Sequence, residues 1–532
     1  MKAGEALVRL LQDYGVDTVF GIPGTHSLEL YRGLSRSSIR HVLPRHEQGA
    51  GFMADGYARA SGKPGVCFVI TGPGVTNIAT PLGEAYMDSV PMLVISPVNP
   101  PDPGRANVGR LHEITDQSQV TAPLTAFSAI AREAGEIPGL IARAFSVYSS
   151  QQPRPVHISI SLPALREEID APWRAVALPV RPTATPAELD RCAAALDGAE
   201  RPVIVAGGGA QAAATGVLSL AEKLSCPVIT TVAGRGIVPA EHPLCPGAQL
   251  RSVPVQKLLA EADVALLVGT ELAQTDHFNT EWLELPAQQI RVNLDPLALQ
   301  ASAQTIALLA DVGAVVDDLL ERCAPAQKVR RDRALRRCED CRHAVPETFD
   351  ALISKHMSVL QRLQAALPDD ALVVSDMTQL AYTAVEYLPM PQHGRWLHPA
   401  GYGTLGYALP AAIGAKLAAP ARKVVVVVGD AGLQYTMQEL TLAAELGLDL
   451  VLVLWNNDAL QQIRDDMEAA GIEAIGVRQR NPDFIALAAA CGWRAAESNT
   501  VEAFAAEMRQ ALARDDSSTL IKLNENNLPN NR

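Results

Sequence analysis

The stretch that most constrains this chain is Val424 to Asp458, VVVVVGDAGLQYTMQELTLAAELGLDLVLVLWNND. Five consecutive valines, Val424 to Val428, leave neither strand face polar, which predicts a fully buried parallel strand. Gly429-Asp430-Ala431-Gly432 turns the chain. Gln434 to Leu446 has helical composition, with Leu440, Ala443, Ala444 and Gly447 at helical spacing. Asp449 to Trp455 reads as a second apolar strand, closed by Asn456-Asn457. A strand–helix–strand unit of this size crosses over right-handed, so its strands lie parallel. Asp430 and Asn457 then sit at the carboxyl ends of neighbouring strands, on the rim where open α/β sheets bind ligands. One carboxylate, one amide oxygen and nearby carbonyls make a hard-oxygen half-shell. That suits Mg²⁺ sharing its octahedron with phosphate oxygens and water.

The remaining sequence repeats this α/β grammar. Strands at Thr18–Phe20, Ile39–Leu43, Val66–Ile70 and Met92–Ser96 alternate with helices, and 153–163 completes the first sheet. A helix from Gly4 to Tyr14 opens the chain, and Glu47 opens another that runs to about Ala60. The proline-rich segment 171–186 is a linker. A second set of strands follows at Pro202–Ala206, Val228–Thr231, Val264–Val268 and Ile290–Leu294. Its Gly207-Gly208-Gly209 lacks full dinucleotide spacing and an acidic partner, so it reads as a tight strand-to-helix turn. The arginine-rich segment 323–349 predicts a solvated connector helix, and the asparagine-rich 524–532 a frayed tail. At 532 residues the expectation is three Rossmann-like doubly wound parallel-sheet domains, at 1–170, 186–325 and 350–525.

Composition narrows the class. A net charge of −13 argues against nucleic-acid or anionic-membrane partners. Apolar runs are strand-length, so no membrane helix is expected, and no targeting segment is read at the start. The expectation is a cytoplasmic protein. Of eight scattered cysteines, only Cys338 and Cys341 form C-x-x-C, read as reduced surface thiols rather than zinc ligands.

The Gly-Asp-Ala-Gly turn followed by Asn-Asn one crossover later resembles the diphosphate–Mg²⁺ motif of thiamin-diphosphate enzymes. Ala431 stands where the family usually has glycine. The resemblance extends over nearly the whole chain and is strongest to the acetolactate synthase-like branch. Arg45-His46-Glu47-Gln48-Gly49-Ala50, then Ala54-Asp55-Gly56-Tyr57-Ala58-Arg59, carry it in the first domain.

The resemblance implies that Glu47 bonds the aminopyrimidine and promotes the proton exchange that activates the cofactor. Asp430, Asn457 and the Ala459 carbonyl would hold Mg²⁺, with Ala431 and Gly432 lining the diphosphate. Thr378 and Gln379 are candidate diphosphate donors. Gly403 would hold the pyrimidine edge, and Leu405 would wedge the cofactor into its bent form. The first domain would bind the pyrimidine and the third the diphosphate, meeting across a subunit interface. The expected active unit is therefore a homodimer, within a homotetramer. FAD is possible in the middle domain but not supported by any residue.

In the reaction pocket, Thr25 follows Gly24 where related decarboxylases place a carboxylate or hydroxyl, and His112 is the candidate proton donor. Each also has a plain structural reading, as a turn residue and a packed histidine. The expected reaction is non-oxidative loss of CO₂ from a small 2-oxo acid, giving an aldehyde. The alternative is an acetolactate synthase-like carboligase that condenses two 2-oxo acids, and a silent relative is disfavoured by the intact Glu47, Asp430 and Asn457. Acetolactate synthases place a tryptophan nine residues after the second asparagine; here that position is Asp466. The strings around Asp376-Met377-Thr378-Gln379-Leu380 and Gln462-Ile463-Arg464-Asp465-Asp466-Met467 resemble decarboxylases of arginine catabolism acting on a guanidino 2-oxo acid. Helical spacing puts Leu460, Ile463 and Met467 on one face with Asp466 at its border, as candidate substrate residue, and Asp465 pointing away.

Overall fold

The computed structural model of the chain describes residues 1–100, 108–278, 283–299 and 302–528. Three parallel sheets organise it. The first holds β1 (Thr18–Gly21), β2 (Arg40–Val42), β3 (Gly65–Phe68), β4 (Met92–Val98), β5 (Phe127–Ala131) and β6 (Val156–Ser161), in the order β2-β1-β3-β4-β6-β5. The second holds β7 (Val203–Ala206), β8 (Val228–Thr230), β9 (Val264–Val268), β10 (Gln288–Asn293) and β11 (Thr305–Leu309), in the order β11-β10-β9-β7-β8. The third holds β12 (Leu372–Ser375), β13 (Trp396–Leu397), β14 (Val424–Gly429), β15 (Leu450–Asn456), β16 (Arg494–Ser498) and β17 (Thr519–Asn524), in the order β13-β12-β14-β15-β17-β16.

The first and third sheets share one topology. In each, the strand order reverses beside the first strand, at β1/β3 and at β12/β14. Crevices at such reversals, outside the carboxyl strand ends, are where α/β sheets take ligands. The valine run forms β14 as its composition dictates, buried along its whole length and paired with β15 from Val424↔Leu450 to Gly429↔Trp455.

One apolar core runs unbroken from the first sheet to the third. Its centre is the crossing of the helices Glu47–Ser61 and Ala408–Ala418. Backbone approaches backbone there: a Cβ on Gly56 would overlap the Ala411 carbonyl, and one on Gly414 the Met53 carbonyl.

Several local expectations are corrected. The segment 153–163 supplies β6 as expected, but the sheet extends beyond it to β5, a half-buried edge strand whose short FSAIA sequence carries little periodic signal. The helix after β14 begins at Asp430 itself and breaks into Asp430–Thr436 and Glu439–Glu445. The arginine-rich helix, Lys328–Glu347, is not a free connector: Ala334, Cys338, Cys341 and Val345 are buried along one face. Its arginines reach backbone carbonyls of the middle domain, Arg330 to Leu196 at 2.9 Å and Arg337 to Leu258 at 2.6 Å. Cys338 and Cys341 are therefore buried free thiols, not surface ones. The tail is docked as far as Leu528, because the Glu525 carboxylate accepts from Trp455 Nε1 at 3.1 Å and Asn457 Nδ2 at 3.3 Å. Gly207 and Gly209 pack against the backbone at Gly269, which fits the tight-turn reading.

Candidate functional site

The C-terminal rim is built where β12 and β14 end. Thr378, just past β12, lies beside Gly429, where a Cβ would stand 3.0 Å from its hydroxyl. Asp430 follows as the first residue of its helix, where the N-terminal dipole favours a carboxylate. Asp430 is buried, and that burial pushes its carboxyl above the usual range; bonds from Asn481 and the Ala431 and Asn457 N–H groups pull it back.

Three oxygens converge on a single amide. Asn481 Nδ2 lies 2.6 Å from Asp430 Oδ2, 2.8 Å from Asp458 Oδ1 and 2.9 Å from Asn456 Oδ1. A donor with two hydrogens among three acceptors marks a position of negative potential, filled by oxygen ligands only. This donor set fits Mg²⁺, which takes hard oxygens. Asn457 meets Asp430 through its backbone N–H, while its side-chain amide turns to Glu525. The amide oxygen that meets Asn481 is that of Asn456, the residue before Asn457. Ala459 bridges to Arg478, and Leu460 N–H donates to Val477 at 2.8 Å, tying this loop to the strand-like segment that carries Asn481. Asn481 lies far beyond the motif, and no local pattern announces it.

Ala431 and Gly432 are buried, and a Cβ on Gly432 would stand 2.8 Å from Asp376 Oδ1. Asp376 is a second residue that motif reading passed over. Burial raises its carboxyl to about 6, against N–H donors that include Gly406 at 3.2 Å and Ala408 at 3.1 Å. It thereby fastens the segment 401–408 to the end of β12. Gly403 in that segment has φ +71°, a left-handed conformation that glycine takes without strain, and Leu405 is half-buried. The Thr404 N–H and hydroxyl donate to Glu84 Oε2 at 3.1 and 2.9 Å. Glu84 belongs to the first domain and is fully buried, which drives its carboxyl up to about 9.

Gln379 donates from Nε2 to Asp465 Oδ2 at 2.9 Å, and its Oε1 is buried without a partner among the described residues. The expected facing of the following helix is thus corrected. In Gln461–Ala469, Asp465 turns inward, whereas Asp466 is exposed and accepts from Gln462 at 3.0 Å. Ile463 is also exposed. The helix's rotation is set by the bonds that hold Ala459 and Leu460, which spacing alone does not contain.

The N-terminal rim lies at β1/β3. Glu47 is the first residue of its helix, after the cap His46, is 7% exposed, and accepts from Asn77 Nδ2 at 2.9 Å. The turn Gly72-Pro73-Gly74 separates it from His112: a Cβ on Gly74 would stand 3.4 Å from Glu47 Oε1, and one on Gly72 would overlap the His112 carbonyl. Thr25 is exposed at the end of β1, and its neighbour His26 meets the His112 ring edge-on, centroids 5.4 Å apart. Among the described residues, no hydrogen bond or ion pair joins Glu47, Thr25 or His112 to the C-terminal rim.

Comparison with known proteins decides the family. Models for the thiamine pyrophosphate enzymes match residues 1–120 (N-terminal TPP binding domain), 189–319 (central domain) and 376–523 (C-terminal TPP binding domain). The chain is 50% identical over 98% of its length, and 94% of the relative's, to a Pseudomonas aeruginosa protein named "Probable 2-ketoarginine decarboxylase AruI". The chain belongs to the thiamine pyrophosphate enzymes. Within them it is also 34% identical to the acetolactate synthase isozyme 1 large subunit of Escherichia coli K12, over 86% of this chain and 82% of that one. The acetolactate synthase large subunit of Lactococcus lactis matches at 31%, over 92% and 87%. As a thiamine pyrophosphate enzyme, the chain carries its two candidate rims on the two sheets of like topology, each within a matched TPP binding domain.

Proposed function

We propose that this chain is a Mg²⁺- and thiamin diphosphate-dependent decarboxylase that converts 5-guanidino-2-oxopentanoate to 4-guanidinobutanal and CO₂. The 50% identity along 98% of the chain to a protein named for 2-ketoarginine carries this reading. Bound thiamin diphosphate supplies the electron sink for breaking the carbon–carbon bond. The residues supply the rest. Asp430, Asn457 and the Ala459 carbonyl are the proposed metal ligands, with Ala431, Gly432, Thr378 and Gln379 along the diphosphate. Gly403 and Leu405 would hold the pyrimidine, and Glu47 would exchange a proton with it. The reaction consumes one proton, R–CO–COO⁻ + H⁺ → R–CHO + CO₂, and His112 is the proposed donor, beside Thr25.

The active unit is proposed to be a homodimer within a homotetramer, and the protein to be cytoplasmic. Exposed apolar side chains support a covered face at both rims: Leu28 and Leu111 on one, Tyr402, Tyr435 and Ile463 on the other. Among the described residues no helix is long and apolar enough to cross a membrane.

The carboligase reading draws on the acetolactate synthase relatives. Asp466 in place of a tryptophan argues against it. Holoenzyme incubated with a panel of 2-oxo acids, with products identified by mass, separates the two. The expected product is 4-guanidinobutanal; a condensed hydroxy-oxo acid would reverse the order of the readings.

A further inference from the structure

The segment 400–408, which carries Gly403 and Leu405, is gripped by carboxylates along its length. Asp88 accepts from the Ala400 and Gly401 N–H groups at 3.1 and 2.7 Å. Glu84, one turn earlier on the helix Ala79–Met87, accepts from the Tyr402 N–H at 3.5 Å and from the Thr404 N–H and hydroxyl at 3.1 and 2.9 Å. Asp376 takes the Gly406 and Ala408 N–H groups. Gly403 and Leu405 stand between these grips. Helix and segment meet without room for a further side chain: a Cβ on Gly83 would stand 2.7 Å from the Tyr402 ring, and one on Gly401 2.6 Å from the Met87 Cβ.

The contact is crowded with acids. The titratable groups that face Glu84 are Asp88 beside it, Asp55 and Arg59 on the helix Glu47–Ser61, and Tyr407 from the third domain. Arg59 is the only cation among these, and it is committed to Asp55 at 2.7 Å and Asp88 at 2.8 Å. Tyr407 donates to Asp55 at 2.6 Å, and His398, whose carbonyl accepts from Arg59, is kept neutral by burial. Glu84 itself is fully buried, so its ionisation would add a sealed negative charge with no cation of its own. Desolvation, then Asp88, hold its carboxyl at about 9, against the pull of Arg59.

We infer that Glu84 is a positioning residue for thiamin diphosphate: as a neutral carboxylic acid it anchors Tyr402 and Thr404, and so sets Gly403 between them and Leu405 after them against the pyrimidine. This rests on the reading that Gly403 and Leu405 hold the pyrimidine. The closed segment then keeps a proton that an opened, hydrated Glu84 gives up. The anchor is strongest below the ordinary value of 4.5 and weakens as pH rises to about 9.

The test follows amide exchange of holoenzyme across pH for wild type, Glu84→Gln and Glu84→Met, and measures thiamin diphosphate affinity at saturating Mg²⁺ by fluorescence titration. Wild-type protection of the Tyr402 and Thr404 amides should fall about tenfold per pH unit from about pH 6 to about pH 9 and then level off. Glu84→Gln is a neutral isostere that keeps an acceptor oxygen, so its protection should lack this fall and its cofactor affinity at neutral pH should match wild type. Glu84→Met keeps the length without the acceptor and should bind the cofactor about tenfold more weakly. Superimposable pH courses of protection in wild type and Glu84→Gln overturn the role of Glu84, whether or not the Met variant folds. Lost protection in Glu84→Met with unchanged cofactor affinity overturns the pyrimidine reading beneath it, and the positioning role with it.

Discussion

Glu439 in the third domain accepts the backbone N–H of Arg45 in the first at 2.9 Å, across 394 residues of sequence. Arg45 lies two residues before Glu47, so the carboxylate that grips the chain here fixes where the proposed catalytic helix begins. Gly49 has no side chain because a Cβ would overlap Glu439 Oε1. Glu439 is fully buried, and desolvation outweighs its N–H donors and Arg45, raising its carboxyl from 4.5 to about 7. The folded state thus binds a proton that the unfolded state has released, so this group makes stability fall as pH rises from about 4.5 to about 7. Glu439→Gln keeps an acceptor oxygen and loses the titration. Denaturation across that window should show the variant gaining on wild type with rising pH, by up to roughly 3 kcal/mol. Parallel pH curves would mean that Glu439 is already ionised without cost.

Glu47→Gln should leave thiamin diphosphate binding largely intact and lower turnover by about 10²-fold or more, the scale of a lost acid–base group. An amide still bonds a ring nitrogen but cannot exchange a proton with it. Wild-type rates of cofactor C2 proton exchange in this variant would remove Glu47 from its proposed role.

Asp430→Ala removes the carboxylate at the centre of the oxygen cluster, and Mg²⁺-dependent cofactor binding should be lost, as measured by fluorescence titration or calorimetry. Unchanged affinity would place the metal elsewhere.

Substrate charge is tested at two adjacent acids. Asp466 is exposed in the single chain beside Ile463, on the face proposed to be covered in the dimer, so Asp466→Asn should lose about ten- to hundredfold in kcat/KM toward 5-guanidino-2-oxopentanoate, the worth of a charged hydrogen bond, and little toward an uncharged 2-oxo acid of similar length. Asp465 is bonded to Gln379 and Gln461, so Asp465→Asn should affect both substrates alike. The opposite pattern would assign the guanidinium to Asp465.

The helix crossing has no room for a methyl group. Gly56→Ala should lower the thermal midpoint, at a cost of about 1–3 kcal/mol for overpacking, whereas Gly62→Ala, in open space at a helix end, should show only its φ +73° penalty.

What the sequence by itself determined is what lies within one supersecondary unit. Five valines, a turn carrying Asp430 and a second apolar strand specify β14, its helix and β15, because burial of both strand faces and the right-handed crossover leave one arrangement. The same logic put Glu47 at a helix start and Thr25 past a strand. Tertiary structure decided the rest. Asn481 reaches Asp430 from 51 residues away, Glu84 reaches Thr404 from 320, and Glu439 reaches Arg45 from 394. Which of Asp465 and Asp466 turns inward depends on how Leu460 is bonded to Val477. Residue spacing fixes a position along an element and its face relative to its neighbours. The rotation of that element against a distant surface, and hence which polar atoms are sealed from water together, follows only from packing the three sheets into one body.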